Sequence, residues 1–438
     1  MGKKEEEPMF KNGIGRQLIF AATTAVSMIF AVAPSAAQEK VQLTFRQFDP
    51  PTEIQGLIAA VDAWNSNHPD VQVKLETMSG GDTLAQLARE IPAGAGPDVQ
   101  QLAFVWTRDL ARSKLLLDLS PLIQSNAPGA GTDDFLALDL ATLDGKIFGL
   151  PWTADTFAMA YRPDLVQAAG VTNFPDSWDD LAAAAKKLTT EGGGTEQYGF
   201  CFPAGSAPDS GMWTLVNYYL WSNGSTLVTE ESPGKWKVSV TPEQLAAAMN
   251  YFNQFFMDGT APENLITVNA WGDPELIGGL GRGDCAITFF PPQTFRAAQK
   301  QSDKPLLTAP IPKGTEKRIS HLGGRALGIN PNTKHQKEAW EFVKYLVGPE
   351  TFKTYNQYPS QKSLLSQLQF PPAEQGYVTM LPLAQTFERY ISSPIKVSSM
   401  TALINREFGA VFSGQRNPDE AADVIIKELN DLLARGKG

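Results

Sequence analysis

The sequence predicts an α/β protein with a parallel sheet, and three observations carry that prediction. The chain opens strand, helix, strand between Val41 and Thr77. The same alternation recurs further along, each helical stretch showing its own start signal. The third observation is bulk: 438 residues, 42% hydrophobic and 19% charged, suit a folded chain with a sizeable core and room for two ordinary domains.

The elements follow in order. Ahead of the first strand, Lys11 and Arg16 precede an apolar run from Leu18 to Ala33, and Pro34, Ser35, Ala36 and Ala37 come next. Ser35 and Ala37 fit the −3 and −1 positions of a cleavage site, so residues 1–37 read as an export signal removed before Gln38. The run is short of the ~20 residues that span a bilayer. No cysteine stands at the cleavage point, which excludes lipid attachment there, and Met9 is an alternative start.

"VQLTFRQF" alternates Val41, Leu43 and Phe45 as a strand. A helix is then expected from Thr52, with Gln55 in the box position and Ile54, Leu57, Ile58, Val61 and Trp64 on one face. "VQVKLET" alternates again, closing a βαβ unit. Further helices are read in "TLAQLAREI" and in "SWDDLAAAAKKL", where Ser177 caps and Asp180 completes the box. "TPEQLAAAMNYFNQFFMDG" starts at Thr241, and "HQKEAWEFVKYLVG" presents Ala339, Trp340, Val343 and Leu346. The last helix follows Asn417, with Val424, Ile425, Leu429, Leu432 and Leu433 as its stripe. There is no internal repeat and no linker between halves. That absence fits two lobes joined by several crossings, and equally one large domain.

Composition and motifs exclude several functions. A net charge of −10 argues against a nucleic-acid partner, which requires a basic face. No P-loop, GxGxxG, HExxH, CxxC or Gly-x-Ser-x-Gly elbow is present. His68, His321 and His335 are far apart, lack metal-ligand spacing, and read as surface or satisfied core residues. Cys201 and Cys285 both border strand-like runs. Export permits a disulfide between them, and two buried thiols fit as well. What remains is aromatic. Trp106, Trp152, Trp213, Trp221, Trp271, Phe289 and Phe290 fall near apparent strand ends, where ligands of open α/β sheets bind. Aromatic faces suit the C–H face of a sugar ring; carboxylates, amides and Arg suit its hydroxyls. In "GLPWTADTFAMAYR", Asp155 is a carboxylate among large apolar residues, costly unless something satisfies it.

The order of motifs resembles the extracellular solute-binding proteins (family 1) of ABC sugar importers, over nearly all of the chain after residue 37. The resemblance rests on "AVDAWNSNHPDVQVKLE", "LAREIPAGAGPDVQQLAFVW", "LLLDLSPLI", and "GKIFGLPW" followed by "AMAYRPDLVQAAGVTNFPDSWDDLAAAAKKL". "GRGDCAITFFPP" and "IPKGTEKRISHLGGRALGINPNTKHQKEAWEFVKYLVGPE" complete it. It implies a two-lobed periplasmic binding protein fold (type II) with the ligand cleft between lobes. Residues 38–153 and 306–355 would form the N-terminal lobe, residues 154–305 and 356–438 the C-terminal one. Hinges would lie near Trp152–Thr156, Lys304–Thr308 and Tyr355–Pro359. It further implies a monomer in the periplasm that binds a small-molecule carbohydrate, hands it to an ABC permease with its ATPase, and needs no cofactor or metal.

The likeness is nearest to trehalose- and maltose-type binding proteins, and it assigns ligand contacts residue by residue. Glu53 and Asp155 match carboxylates that accept sugar hydroxyls, and Phe290 falls where a stacking Trp often sits. Gly323 and Gly324 match a pair whose backbone approaches the sugar. Trp106 keeps the family's aromatic, and Trp152 is a further stacking candidate. Ala103 and Arg325 depart from the pattern, replacing a ligand-binding Asp and a stacking Trp, which points away from trehalose or maltose itself. Arg325, a fixed fork of donors, suits a polyol, a uronic acid or a phosphorylated sugar as well as a neutral disaccharide. The alternatives are therefore the same fold binding an anionic glycerol or sugar derivative, and a secreted glycoside-processing enzyme, which would need two facing carboxyls. A binding protein, not an enzyme, is the expectation.

Overall fold

The structure, a computed structural model, describes residues 40–49, 54–190 and 196–436. The export signal, Thr52 and Glu53 lie outside the described residues.

Strand β1 (Val41–Gln47) buries Leu43 and Phe45 completely, as its alternation requires. The helix that follows runs Gln55–Asn67 and buries Leu57, Ala60, Val61 and Trp64. It starts later than the Thr52 box predicts: Ile54 holds the cap position and caps nothing with its side chain. Strand β2 (Val71–Thr77) lies parallel to β1, from Val41 opposite Val71 to Gln47 opposite Thr77. Strand β3 (Val99–Ala103) lies parallel on the other side of β1.

Beyond β3 the pairing departs from the expected parallel sheet. Apart from two short hairpins, the further strands of the two main sheets are β4 (Leu150–Asp155), β5 (Ala158–Tyr161), β6 (Tyr198–Phe200), β7 (Cys285–Phe290), β8 (Leu307–Ala309), β9 (Gly323–Ile329) and β10 (Tyr358–Pro359). The large sheet has the order β10-β4-β9-β3-β1-β2. In it β9 runs antiparallel to both β3 and β4, because the chain returns to this sheet from the other one rather than through a local crossover. The smaller sheet has the order β8-β5-β7-β6, with only β6 and β7 parallel. The protein is thus two-lobed, one lobe on each sheet.

Two strands fall on the other side of the expected lobe borders. β8 pairs with β5, so the return to the large sheet follows Ala309 rather than starting at Leu306. β10 pairs with β4, so Tyr358 and Pro359 still belong to the large sheet. Short backbone ladders decide both, and hydrophobic patterning does not register them.

Three later caps read from sequence hold. Ser177 with Asp180, and Thr241 with Gln244, form complete capping boxes, and Asn417 accepts from the Glu420 N–H. Helix Gln336–Val347 buries Ala339, Trp340, Val343 and Leu346. It packs over the large sheet with Phe45, Trp64 and Trp152. Cys201 and Cys285 are joined as a disulfide, Cα atoms 6.0 Å apart, tying the end of β6 to the start of β7. Among the described residues no helix is long and apolar enough to cross a membrane.

Candidate ligand-binding site

The strand ends build the site. β1, β3 and β4 point their carboxyl ends the same way, and antiparallel β9 begins there. This rim carries Phe48 and Asp49 after β1, Trp106 in the first turn after β3, Asp155 at the end of β4, and Gly323 to Arg325 at the start of β9. Loop residues at such a rim are held by the sheet yet free to face a ligand.

Arg325 is the first correction. Its Nη2 lies 3.0 Å and its Nε 3.2 Å from Asp49 Oδ1. The other Asp49 oxygen accepts from Gln101 Nε2 and, at 3.3 Å, from the Tyr355 hydroxyl. The Arg325 guanidinium also lies over the Phe48 ring, 4.8 Å from its centroid, and Phe48 packs against Trp106 at 5.0 Å. Burial pulls the Arg325 pKa down, but Asp49 first and then Asp155 hold it above its ordinary value. Arg325 is therefore a charge-compensated fork stacked on an aromatic, not a free cation.

Asp155 is half-buried, and its carboxylate makes no side-chain hydrogen bond among the described residues. It faces Gly323 across the β4–β9 ladder. A Cβ at Gly323 would stand 2.2 Å from Asp155 Oδ1 and 3.4 Å from His321 Nε2. The missing side chain of Gly323 thus lets the Asp155 carboxylate approach the backbone, with His321 Nε2 beside the same point. Gly324 has φ +144°, and a Cβ there would stand 2.1 Å from the Thr153 carbonyl oxygen. Strand approach accounts for this second glycine.

The wall opposite comes from the other lobe and its connections. Phe157 packs edge-on against Trp271 at 5.2 Å, and His321 packs against Phe157 at 5.3 Å and Phe387 at 5.5 Å. His321 Nδ1 bonds the hydroxyl of Tyr218, itself fully buried, and the His321 carbonyl accepts from Thr156 Oγ1 at 2.9 Å. Burial lowers the His321 pKa; Asp155 opposes this without prevailing. Burial also pushes the Tyr218 hydroxyl well above its ordinary value, so it stays protonated.

Of the residues expected from sequence, Trp106, Asp155, Gly323 and Arg325 come together at this rim. Trp152 does not face it. That ring is 1% exposed, stacks on Tyr355 at 5.0 Å and donates its N–H to the Leu346 carbonyl at 2.8 Å. It belongs to the core of the large sheet, packed with Phe45 and the buried residues of helix Gln336–Val347. Phe290 is fully buried at the end of β7, with its carbonyl accepting from the Tyr377 hydroxyl at 3.0 Å. Neither offers a stacking surface. Sequence reasoning missed Phe48, Asp49, Gln101, Tyr218, Phe157 and His321. Asp49 carried a usable signal, since it directly follows a strand and precedes Pro50. His321 gave none, because metal spacing was the wrong question. His68, by comparison, stacks on Trp64 at 3.6 Å and bonds its carbonyl.

With this geometry in place, comparison with known proteins is decisive. The sequence pattern of the bacterial extracellular solute-binding protein family matches residues 50–351. The chain belongs to this family. A Brucella abortus protein provisionally named as a binding protein is 27% identical over 422 residues, covering 94% of this chain and 92% of its own. The arabinooligosaccharide-binding protein of Bacillus subtilis is 25% identical over 376 residues, covering 81% and 78%. The sugar-binding protein MalE of Xanthomonas citri has the same fold, with a TM-score of 0.73 at 17% identity over 91% of this chain and 98% of that one. The family's description is solute binding outside the cell.

Proposed function

We propose that this protein is the substrate-binding component of an ABC importer. It captures a neutral carbohydrate, a di- or oligosaccharide or a polyol, outside the inner membrane and delivers it to a permease driven by an ATPase. The reading includes export with cleavage after Ala37, residence in the periplasm, action as a monomer, and closure of the two lobes around the ligand at the strand crossings.

One observation carries the choice of ligand: Asp155, a carboxylate with no side-chain hydrogen bond among the described residues, stands at the strand-end rim that also carries Trp106. Sugar hydroxyls supply the missing donors, and the ring's C–H face suits Trp106, the half-buried aromatic at this rim. The charge balance favours a neutral ligand over a phosphorylated one. Arg325 is compensated by Asp49, and Asp155 adds a further formal negative charge. Catalysis is disfavoured on the same ground: Asp49 is committed to Arg325, Gln101 and Tyr355, and so does not serve with Asp155 as the free pair that glycoside cleavage needs.

Calorimetry on wild type and Asp155→Ala tests this. The wild type should bind a neutral carbohydrate, and the variant should bind it about tenfold or more weakly with an unchanged circular dichroism spectrum. Equal affinity in the two proteins contradicts the site.

A further inference from the structure

A carboxylate only accepts hydrogen bonds, whereas each sugar hydroxyl both donates and accepts. A site that holds Asp155 alone leaves hydroxyl lone pairs unmatched, so the question is which neighbour donates. Arg325 is committed to Asp49 and its own strand. His321 brings a second polar atom, Nε2, beside the Asp155 carboxylate at Gly323.

The state of that nitrogen follows from what the other one does. Nδ1 meets the Tyr218 hydroxyl, and Tyr218 keeps its proton because it is buried. If Nδ1 carried the imidazole hydrogen, the buried hydroxyl proton would have no acceptor, a loss of about 1–3 kcal/mol. With Nδ1 as acceptor, Tyr218 donates and the hydrogen of the neutral ring resides on Nε2. The ring is also clamped between Phe157, Tyr218 and Phe387, which fixes its plane.

We propose that His321 is a ligand-binding residue whose Nε2–H, together with the Asp155 carboxylate, forms a donor–acceptor pair that reads two neighbouring hydroxyls of the bound carbohydrate. Tyr218 is the positioning residue that enforces the tautomer. This deepens the reading given under Proposed function and rests on it. The class of ligand it selects is one presenting a vicinal diol at this end of the cleft, and a ring deoxygenated at either carbon is discriminated against.

The groups facing His321 are few: Asp155 from β4, Tyr218 from helix Met212–Ser222, and the rings of Phe157 and Phe387. Protonation of the ring would turn Nδ1 into a donor and break the Tyr218 arrangement, so the pair operates with the ring neutral.

The test has two parts. Long-range proton–nitrogen spectra of the intact wild-type protein at pH 7 should show His321 neutral with the hydrogen on Nε2, and Tyr218→Phe should populate the other tautomer. A wild-type spectrum with the hydrogen on Nδ1 overturns the proposal even if no variant folds. Calorimetry against a panel of neutral mono-, di- and oligosaccharides and polyols should then show His321→Leu binding the best wild-type ligand about tenfold or more weakly, with His321→Gln recovering part of the loss. Affinity of His321→Leu within twofold of wild type overturns the role of His321 and leaves the proposed function standing. A wild type that binds nothing in the panel overturns both.

Discussion

Asp49 and Asp155 stand at the ends of two strands of one sheet, yet their circumstances are opposite. Asp49 is 8% exposed and receives Arg325, Gln101 and Tyr355; Asp155 is half-buried and receives no side-chain donor. A carboxylate stranded in apolar sequence was legible as a site residue, because such a group must find a partner. Its counterpart was not legible, because pairing between Asp49 and Arg325 depends on β9 inserting beside β3, a contact across most of the chain. Removing one partner of this pair leaves a mostly buried charge. Arg325→Ala should cost about 2 kcal/mol in denaturant unfolding, and Asp49→Asn on that background should recover part of it; a loss that the second change deepens would mean the two do not act as a pair. His321 makes a pH prediction. Burial depresses its folded pKa below the ordinary 6.5, so the unfolded chain takes up the proton first as pH falls. The stability held in the neutral ring is full above about pH 6.5 and is lost as pH falls through the lower folded value. His321→Gln should therefore flatten the acid side of the stability curve below pH 6.5; a curve parallel to wild type would place the ring in contact with solvent.

Among the elements, the helices were the most readable and the sheet edges the least. Capping boxes at Ser177 and Thr241 and the stripe of the final helix are local signals, set within four residues, and the structure reproduces them. Strands β8 and β10 are three and two residues long, too short for any alternation to show. Their membership comes from backbone pairing alone, which is why the expected lobe borders missed them. Strand β4 shows the limit of residue-type reasoning. Trp152 and Asp155 lie three residues apart on one strand, yet the first is packed in the core and the second stands half-buried at the rim. The glycine pair on β9 admits two different neighbours, the Asp155 carboxylate at Gly323 and the Thr153 carbonyl at Gly324. Gly324→Ala combines a φ of +144° with a 2.1 Å approach, and should lower stability by at least about 2 kcal/mol in thermal or denaturant unfolding. A wild-type unfolding midpoint in that variant would contradict the geometry of the β4–β9 ladder.

For the whole molecule, the two-lobed architecture was legible because its motif order resembles a known family, while the βαβ opening alone implied only an α/β class. The mixed sheets follow from a chain that leaves the large sheet after β4 and returns for β9 and β10. Those crossings set the two walls of the site on different lobes, with Phe48, Trp106, Asp155 and Arg325 on one side and Phe157 and Trp271 on the other. Under the proposed function the two walls would close on a sugar, which calls for aromatic burial with a few oriented polar groups. The central claim is that this cleft selects a neutral carbohydrate. The most direct measurement is a thermal-shift screen of the exported protein with matched neutral and phosphorylated sugars, since a bound ligand raises apparent stability by RT ln(1 + [L]/Kd). The account predicts a concentration-dependent rise with at least one neutral di- or oligosaccharide or polyol, and a smaller rise or none with its phosphorylated form. A rise with the phosphorylated sugars alone would contradict it.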